Sequence, residues 1–128
     1  SDVPKIEIKS NLIMLVDDDE NVLDVESELI EDLGYDVVKF NKPLDALDYF
    51  RKNYSKLAFS VIDLSMPVMT GKELYDEMKK IDKDNKSFFI SGYARQAEWE
   101  ELVKQGEVII QKPFTYEDLS VQIAKIYM

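Results

Sequence analysis

Five short apolar runs punctuate the chain: Leu12–Val16 (LIMLV), Asp36–Phe40 (DVVKF), Leu57–Asp63 (LAFSVID), Ser87–Ser91 (SFFIS) and 107–111 (EVIIQ). Runs that are apolar on both faces predict strands of a parallel sheet covered by helices on either side. Between them apolar residues recur at helical spacing. Val22, Val25, Leu29 and Leu33 predict a first helix, with Gly34 as the residue beyond its end. Asn41 is expected to cap a second helix, with Pro43 in its first turn and Leu44, Leu47, Phe50 and Tyr54 inward. Thr70-x-x-Glu73 reads as a capping box, Gly71 opens the third helix, and Leu74, Met78 and Ile81 stripe it. A fourth helix follows Tyr93-Ala-Arg-Gln, carries Ala97, Trp99, Leu102 and Val103 inward, and closes at Gly106. Thr115 caps a fifth, with Leu119, Ile123 and Ile126 inward.

Strand and helix thus alternate five times with short connections, which predicts an open α/β sheet with right-handed crossovers. The expected fold is a flavodoxin-like (βα)5 three-layer sandwich with a five-stranded parallel sheet of order 2-1-3-4-5. Residues 1–11 are polar and patternless and read as a linker or tail, leaving 12–128 as one domain.

Composition narrows the function classes. The 26 acids against 16 bases give a formal charge of −10, which argues against direct nucleic-acid binding through phosphates. Without cysteine there is no disulfide framework and no thiolate metal site. Without histidine there is no His-based triad or imidazole zinc site, and any phosphohistidine belongs to another molecule. No signal-like leader or membrane-length apolar run is visible, so a soluble cytoplasmic module without a membrane role is the expectation.

The candidate chemistry lies where the runs end. The first stops at Asp17-Asp18-Asp19-Glu20 and the third at Asp63; the fourth ends on Ser91 and the fifth runs into Lys112-Pro113. Asp19 and Glu20 suit the positive end of a helix dipole, but Asp17 and Asp18 lie at the strand's end. In the expected sheet order, strands one and three flank the topological switch point and bring Asp17, Asp18 and Asp63 together. Three close carboxylates repel, so either some stay protonated or a cation holds them. All-oxygen donors suit a hard ion such as Mg²⁺, with Mn²⁺ as the alternative. A carboxylate is also a competent nucleophile toward phosphorus, and Lys112 and Ser91 can neutralise a phosphoryl group's oxygens.

The runs LVDDDE, VIDLSMPVMTG, ISGYA and QKPF resemble the receiver (CheY-like) domain of two-component response regulators and hybrid histidine kinases, over roughly residues 12–126. The resemblance implies a phosphorelay switch that accepts a phosphoryl group onto Asp63 from a histidine kinase or histidine phosphotransfer domain. It implies that Asp18, Asp63 and the Ser65 backbone carbonyl bind Mg²⁺, with Asp17 acting largely through a water. Ser91 matches the switch hydroxyl and Lys112 the phosphate-binding lysine, and the Lys112-Pro113 bond is expected to be cis. Met66 and Pro67 would shape the loop after Asp63. Tyr93 and Ser65 would tune access to the phosphoryl group. Ile109 stands where the family often has an aromatic switch residue. The domain would catalyse its own phosphorylation and dephosphorylation rather than turn over an external substrate, and would signal to a downstream output domain or protein. Helix four, strand five and helix five form the expected switching face and the candidate dimer surface.

Two rival readings use the same residues. Asp17-x-Asp19 after an apolar strand also fits a haloacid-dehalogenase-type phosphatase, although the chain is short for the usual cap and second acidic pair. A docking module that is never phosphorylated is the other, against which the intact acids and lysine speak.

Overall fold

The computed structural model describes residues 10–92 and 96–126. In chain order these form β1 (Leu12–Val16), α1 (Glu20–Asp32), β2 (Asp36–Phe40), α2 (Pro43–Asn53), a 3₁₀ turn (Tyr54–Lys56), β3 (Leu57–Asp63), α3 (Gly71–Ile81), β4 (Ser87–Ser91), α4 (Gln96–Lys104), β5 (Val108–Gln111) and α5 (Tyr116–Ile126). The strands form one parallel sheet in the expected order β2-β1-β3-β4-β5.

Alternation along the central strands sorts their side chains into two cores. Met14, Val16, Ile62 and Phe89 pack under α2, α3 and α4 with Leu47, Phe50, Leu74, Met78 and Leu102. Ile13, Leu15, Val61, Phe88 and Ile90 pack under α1 and α5 with Leu23, Ile30, Leu119 and Ile123. β1, β3 and β4 are apolar on both faces because both faces are covered.

Local signals set several boundaries. Asp19 caps α1, its carboxylate accepting from the N–H groups of Asn21 and Val22. Gly34, at φ 99°, takes the left-handed position after α1 that a side chain resists. The capping box at α3 is complete: the Glu73 N–H donates to Thr70 Oγ1 at 3.1 Å and the Thr70 N–H to Glu73 Oε1 at 3.1 Å. Thr115 and Asp118 form the same reciprocal pair at α5.

Four helix-level expectations are corrected. The buried stripe of α1 is Leu23, Glu26, Ser27 and Ile30; Val25 is exposed, and Val22, Leu29 and Leu33 are half-buried. Asn41 does not cap α2. Lys42 holds the N-cap position, while the Asn41 amide donates to Glu20 Oε1 at 2.7 Å and so ties α2's entry to α1. Leu44 on α2 is exposed, and so is Tyr54, which lies beyond the helix in the 3₁₀ turn. Among the described side chains of α4 only Leu102 is fully buried; Ala97 and Val103 are exposed and Trp99 is half-buried. β5 begins at Val108, one residue later than expected.

Candidate functional site

Parallel strands bring all their carboxyl ends to one rim. In the β1–β3 register Val16 faces Ile62, so the next residues, Asp17 and Asp63, leave the sheet side by side. Asp17 is fully buried and Asp63 nearly so, whereas Asp18 is exposed. Carboxylate oxygens of the three lie within 4.8 Å of one another. Backbone amides orient two of them: the Asp19 N–H donates to Asp17 Oδ1 at 3.0 Å and the Ser65 N–H to Asp63 Oδ1 at 3.3 Å.

Lys112 comes from the far side of the sheet. Its N–H donates to the Ser91 carbonyl at 2.8 Å, which holds the end of β5 against β4. Its ammonium then reaches Asp17 Oδ2 at 2.7 Å, with Glu26 Oε1 at 3.5 Å and Asp63 Oδ2 at 3.6 Å. Ser91 is buried at the same rim, one residue beyond the Asp63–Ile90 pair. The Lys112-Pro113 bond is cis, as expected. Ile109 lies beside Phe89 and packs into the core under α4 as an aliphatic residue. Tyr93 lies outside the described residues.

Glu26 belongs to this cluster and was missed. It is 2% exposed, and neither carboxyl oxygen meets an N–H or O–H of another group at hydrogen-bond geometry. It lies in register with Leu23 and Ile30 on one of two competing faces of α1. Helical spacing fits the Val22, Val25 and Leu29 face equally, and a glutamate is discounted as a core position.

Burial and mutual repulsion set the protonation states. Burial, then a hydrogen bond to Asp17 and that residue's charge, push Glu26 up to about 9, so near pH 7 it carries the proton and donates it to Asp17. Burial also raises Asp17, but hydrogen bonds from Glu26, Lys112 and the Asp19 N–H outweigh it and hold this carboxyl below its ordinary value. Burial and the charge of Asp17 raise Asp63 to about 7. Burial alone would lower Lys112, but Asp17, Asp63 and Glu26 raise it. The rim therefore pairs one firmly ionised acid with a lysine and leaves Asp63 on the edge of ionisation.

This donor set fits a hard divalent cation: carboxylate oxygens only, one acid exposed for access, and repulsion that a 2+ charge relieves. An apolar groove of about 360 Å³ borders the site, lined by Val22, Val25, Leu29, Pro113 and Phe114 together with Glu26 and Lys112. Among the described residues no helix is long and apolar enough to cross a membrane.

Comparison with known proteins agrees with this arrangement. Residues 13–124 match the family model of the response regulator receiver domain. The chain is 30% identical over 115 residues to the response regulator receiver protein CpdR of Brucella abortus (strain 2308), covering 89% of this chain and 94% of that protein. It is 27% identical over 118 residues to the sensor kinase CckA of the same organism, covering 91% of this chain but only 12% of the kinase. A receiver domain structure from Clostridium thermocellum superposes with a TM-score of 0.84 at 25% identity, covering 90% of this chain and 92% of that one. The family match removes the haloacid-dehalogenase alternative. With its sheet order, its acid-and-lysine rim and a match across nearly its whole length, the chain belongs to the response regulator receiver domain family.

Proposed function

We propose that this domain accepts a phosphoryl group onto Asp63 in a Mg²⁺-dependent reaction and thereby switches a protein-interaction surface. The observation that carries this is the meeting of Asp17, Asp18 and Asp63 within 4.8 Å, with the Lys112 ammonium 3.6 Å from Asp63. The residues that would hold the cation are Asp18, Asp63 and the Ser65 carbonyl, with Asp17 through a water; Mn²⁺ would suit the same oxygens. When bound, Mg²⁺ neutralises charge on the transferred group and on the acids around it.

The chain's own residues supply the rest. An Asp63 carboxylate oxygen attacks phosphorus, the P–N bond to the donor's imidazole breaks, and the imidazole leaves with that bond's electrons and takes up a proton. Lys112 pairs with one phosphoryl oxygen and the Ser91 hydroxyl bonds another, drawing the β4–α4 connection inward. The donor is the phosphohistidine of a histidine kinase or a histidine phosphotransfer domain, and that histidine lies outside these 128 residues. The apolar groove beside Lys112 suits an incoming amphipathic helix of that donor. Exposed Val103 on α4 and Tyr116 and Val121 on α5 provide the apolar part of an output or dimer face around α4, β5 and α5. With Ile109 in the aromatic position, the Ser91 hydroxyl would carry the switching, and Ser65 and Tyr93 would tune how long the phosphoryl group survives. The acyl phosphate's hydrolysis resets the domain, which acts as a switch and not a turnover enzyme, in the cytoplasm.

Labelling with acetyl phosphate and Mg²⁺, followed by mass spectrometry, tests this. Asp63→Asn is expected to abolish the label with the fold intact by circular dichroism. Undiminished labelling of that variant would place the phosphoryl group elsewhere.

A further inference from the structure

We propose that Glu26 is a positioning residue for Lys112, a built-in competitor that holds the ammonium back from the phosphoryl acceptor and so restrains phosphorylation. This rests on the reading of Asp63 as the acceptor and adds a residue to it.

The geometry is one of near-equal rivalry. Lys112 Nζ is held by Asp17 at 2.7 Å, and its next neighbours are Glu26 Oε1 at 3.5 Å and Asp63 Oδ2 at 3.6 Å. Asp17 and Asp63 are needed whatever else happens at the rim. The phosphoryl-transfer step does not itself use Glu26, yet a carboxyl occupies this buried helix position between Leu23 and Ile30, where burial is unfavourable to it. Its oxygens find no other hydrogen bond from protein N–H groups, so the lysine is the one cationic donor they approach among the described residues. An ammonium has three protons to give. One goes to Asp17, and the competition is over where the ammonium sits: the approach of Glu26 Oε1, as near as Asp63 Oδ2 though outside hydrogen-bond geometry, holds Nζ toward α1 and short of the oxygens of a phosphoryl group on Asp63.

Two substitutions separate competition from mere filling of space. Glu26→Gln keeps an acceptor oxygen of the same reach, and Glu26→Leu removes it while filling the site. Initial labelling of Asp63 by acetyl phosphate, decay of the label and Mg²⁺ affinity would be measured on wild type and both variants. Glu26→Leu is expected to raise the labelling rate and lengthen the acyl phosphate's life by about tenfold at most, the upper end for one ordinary hydrogen bond. Mg²⁺ affinity is expected to stay within about twofold, and Glu26→Gln to behave as wild type, because rescue needs only the acceptor. Equal labelling and decay in all three proteins would overturn the proposal, as would a loss of Mg²⁺ affinity in Glu26→Leu that parallels a loss of labelling.

The Lys112 ammonium resonance in the unphosphorylated proteins gives an independent reading. It is expected to move in Glu26→Leu and not in Glu26→Gln, and an unmoved resonance in both overturns the proposal even where labelling fails. Absence of label on wild-type Asp63 would count against the phosphoacceptor reading, whereas label without any difference between variants counts against Glu26 alone.

Discussion

Glu26 and Asp63 are the two residues whose folded environment most changes what they are as acids. Glu26 rises from 4.5 to about 9 and Asp63 from 3.8 to about 7, in both cases chiefly through burial. Between those limits the folded state holds protons that the unfolded chain has released, so stability falls as pH rises. The contribution is fully present below the unfolded values, and Glu26's share is gone above about 9. Lys112, raised, and Asp17, lowered, act outside this window, at the alkaline and acid ends. Metal-free protein is therefore expected to lose thermal stability steadily from about pH 5 to 9, with a shallower decline in Glu26→Gln. Melting curves in chelator across that range check this, and parallel slopes in the two proteins would contradict the assignment.

Where α3 starts against the end of β3, two elements meet too closely for a side chain. A Cβ on Gly71 would overlap the Asp63 carbonyl oxygen and lie 2.8 Å from Leu64 Cα. The Gly71 N–H also donates to the Leu64 carbonyl at 3.1 Å, so the helix start is bonded to the residue that follows Asp63. Backbone cannot move aside as a flexible side chain can. Gly71→Ala is expected to destabilise the domain by about 1–3 kcal/mol, the range for overpacking, and to weaken Mg²⁺ binding by shifting Asp63. Chemical denaturation with and without Mg²⁺ measures both, and a variant of unchanged midpoint would mean that the two elements separate more easily than their contact suggests. Helices were also where sequence reading erred. The capping box of α3 is local chemistry and was legible, whereas the inward face of α1 was not. Two stripes compete there: Val22, Val25 and Leu29 are apolar yet border the groove, while Leu23, Glu26, Ser27 and Ile30 are half polar yet buried.

For the whole molecule, a cation held by Asp17, Asp18 and Asp63 would couple its binding to folding, because the three acids converge only in the native state. Mg²⁺ at about 100 times its dissociation constant is expected to stabilise the fold by about 2.7 kcal/mol. Protons compete with the metal for Asp63, whose value near 7 places the loss of Mg²⁺ affinity on the acid side of neutrality. Thermal shifts with Mg²⁺ at pH 6 and pH 8 test this, with the larger shift expected at pH 8. The sequence by itself determined the alternation of strands and helices, the parallel sheet and the identities of Asp17, Asp18, Asp63, Ser91 and Lys112. Those follow from local periodicity and from which residue ends each apolar run, and neither depends on distant partners. Only the tertiary structure decided which face of α1 turns inward, and that the lysine's ammonium rests on Asp17 with Glu26 and Asp63 at nearly equal distance. Such facts depend on how far a strand-end lysine reaches across the sheet and on what α1 buries, and both are set by contacts between segments remote in the chain.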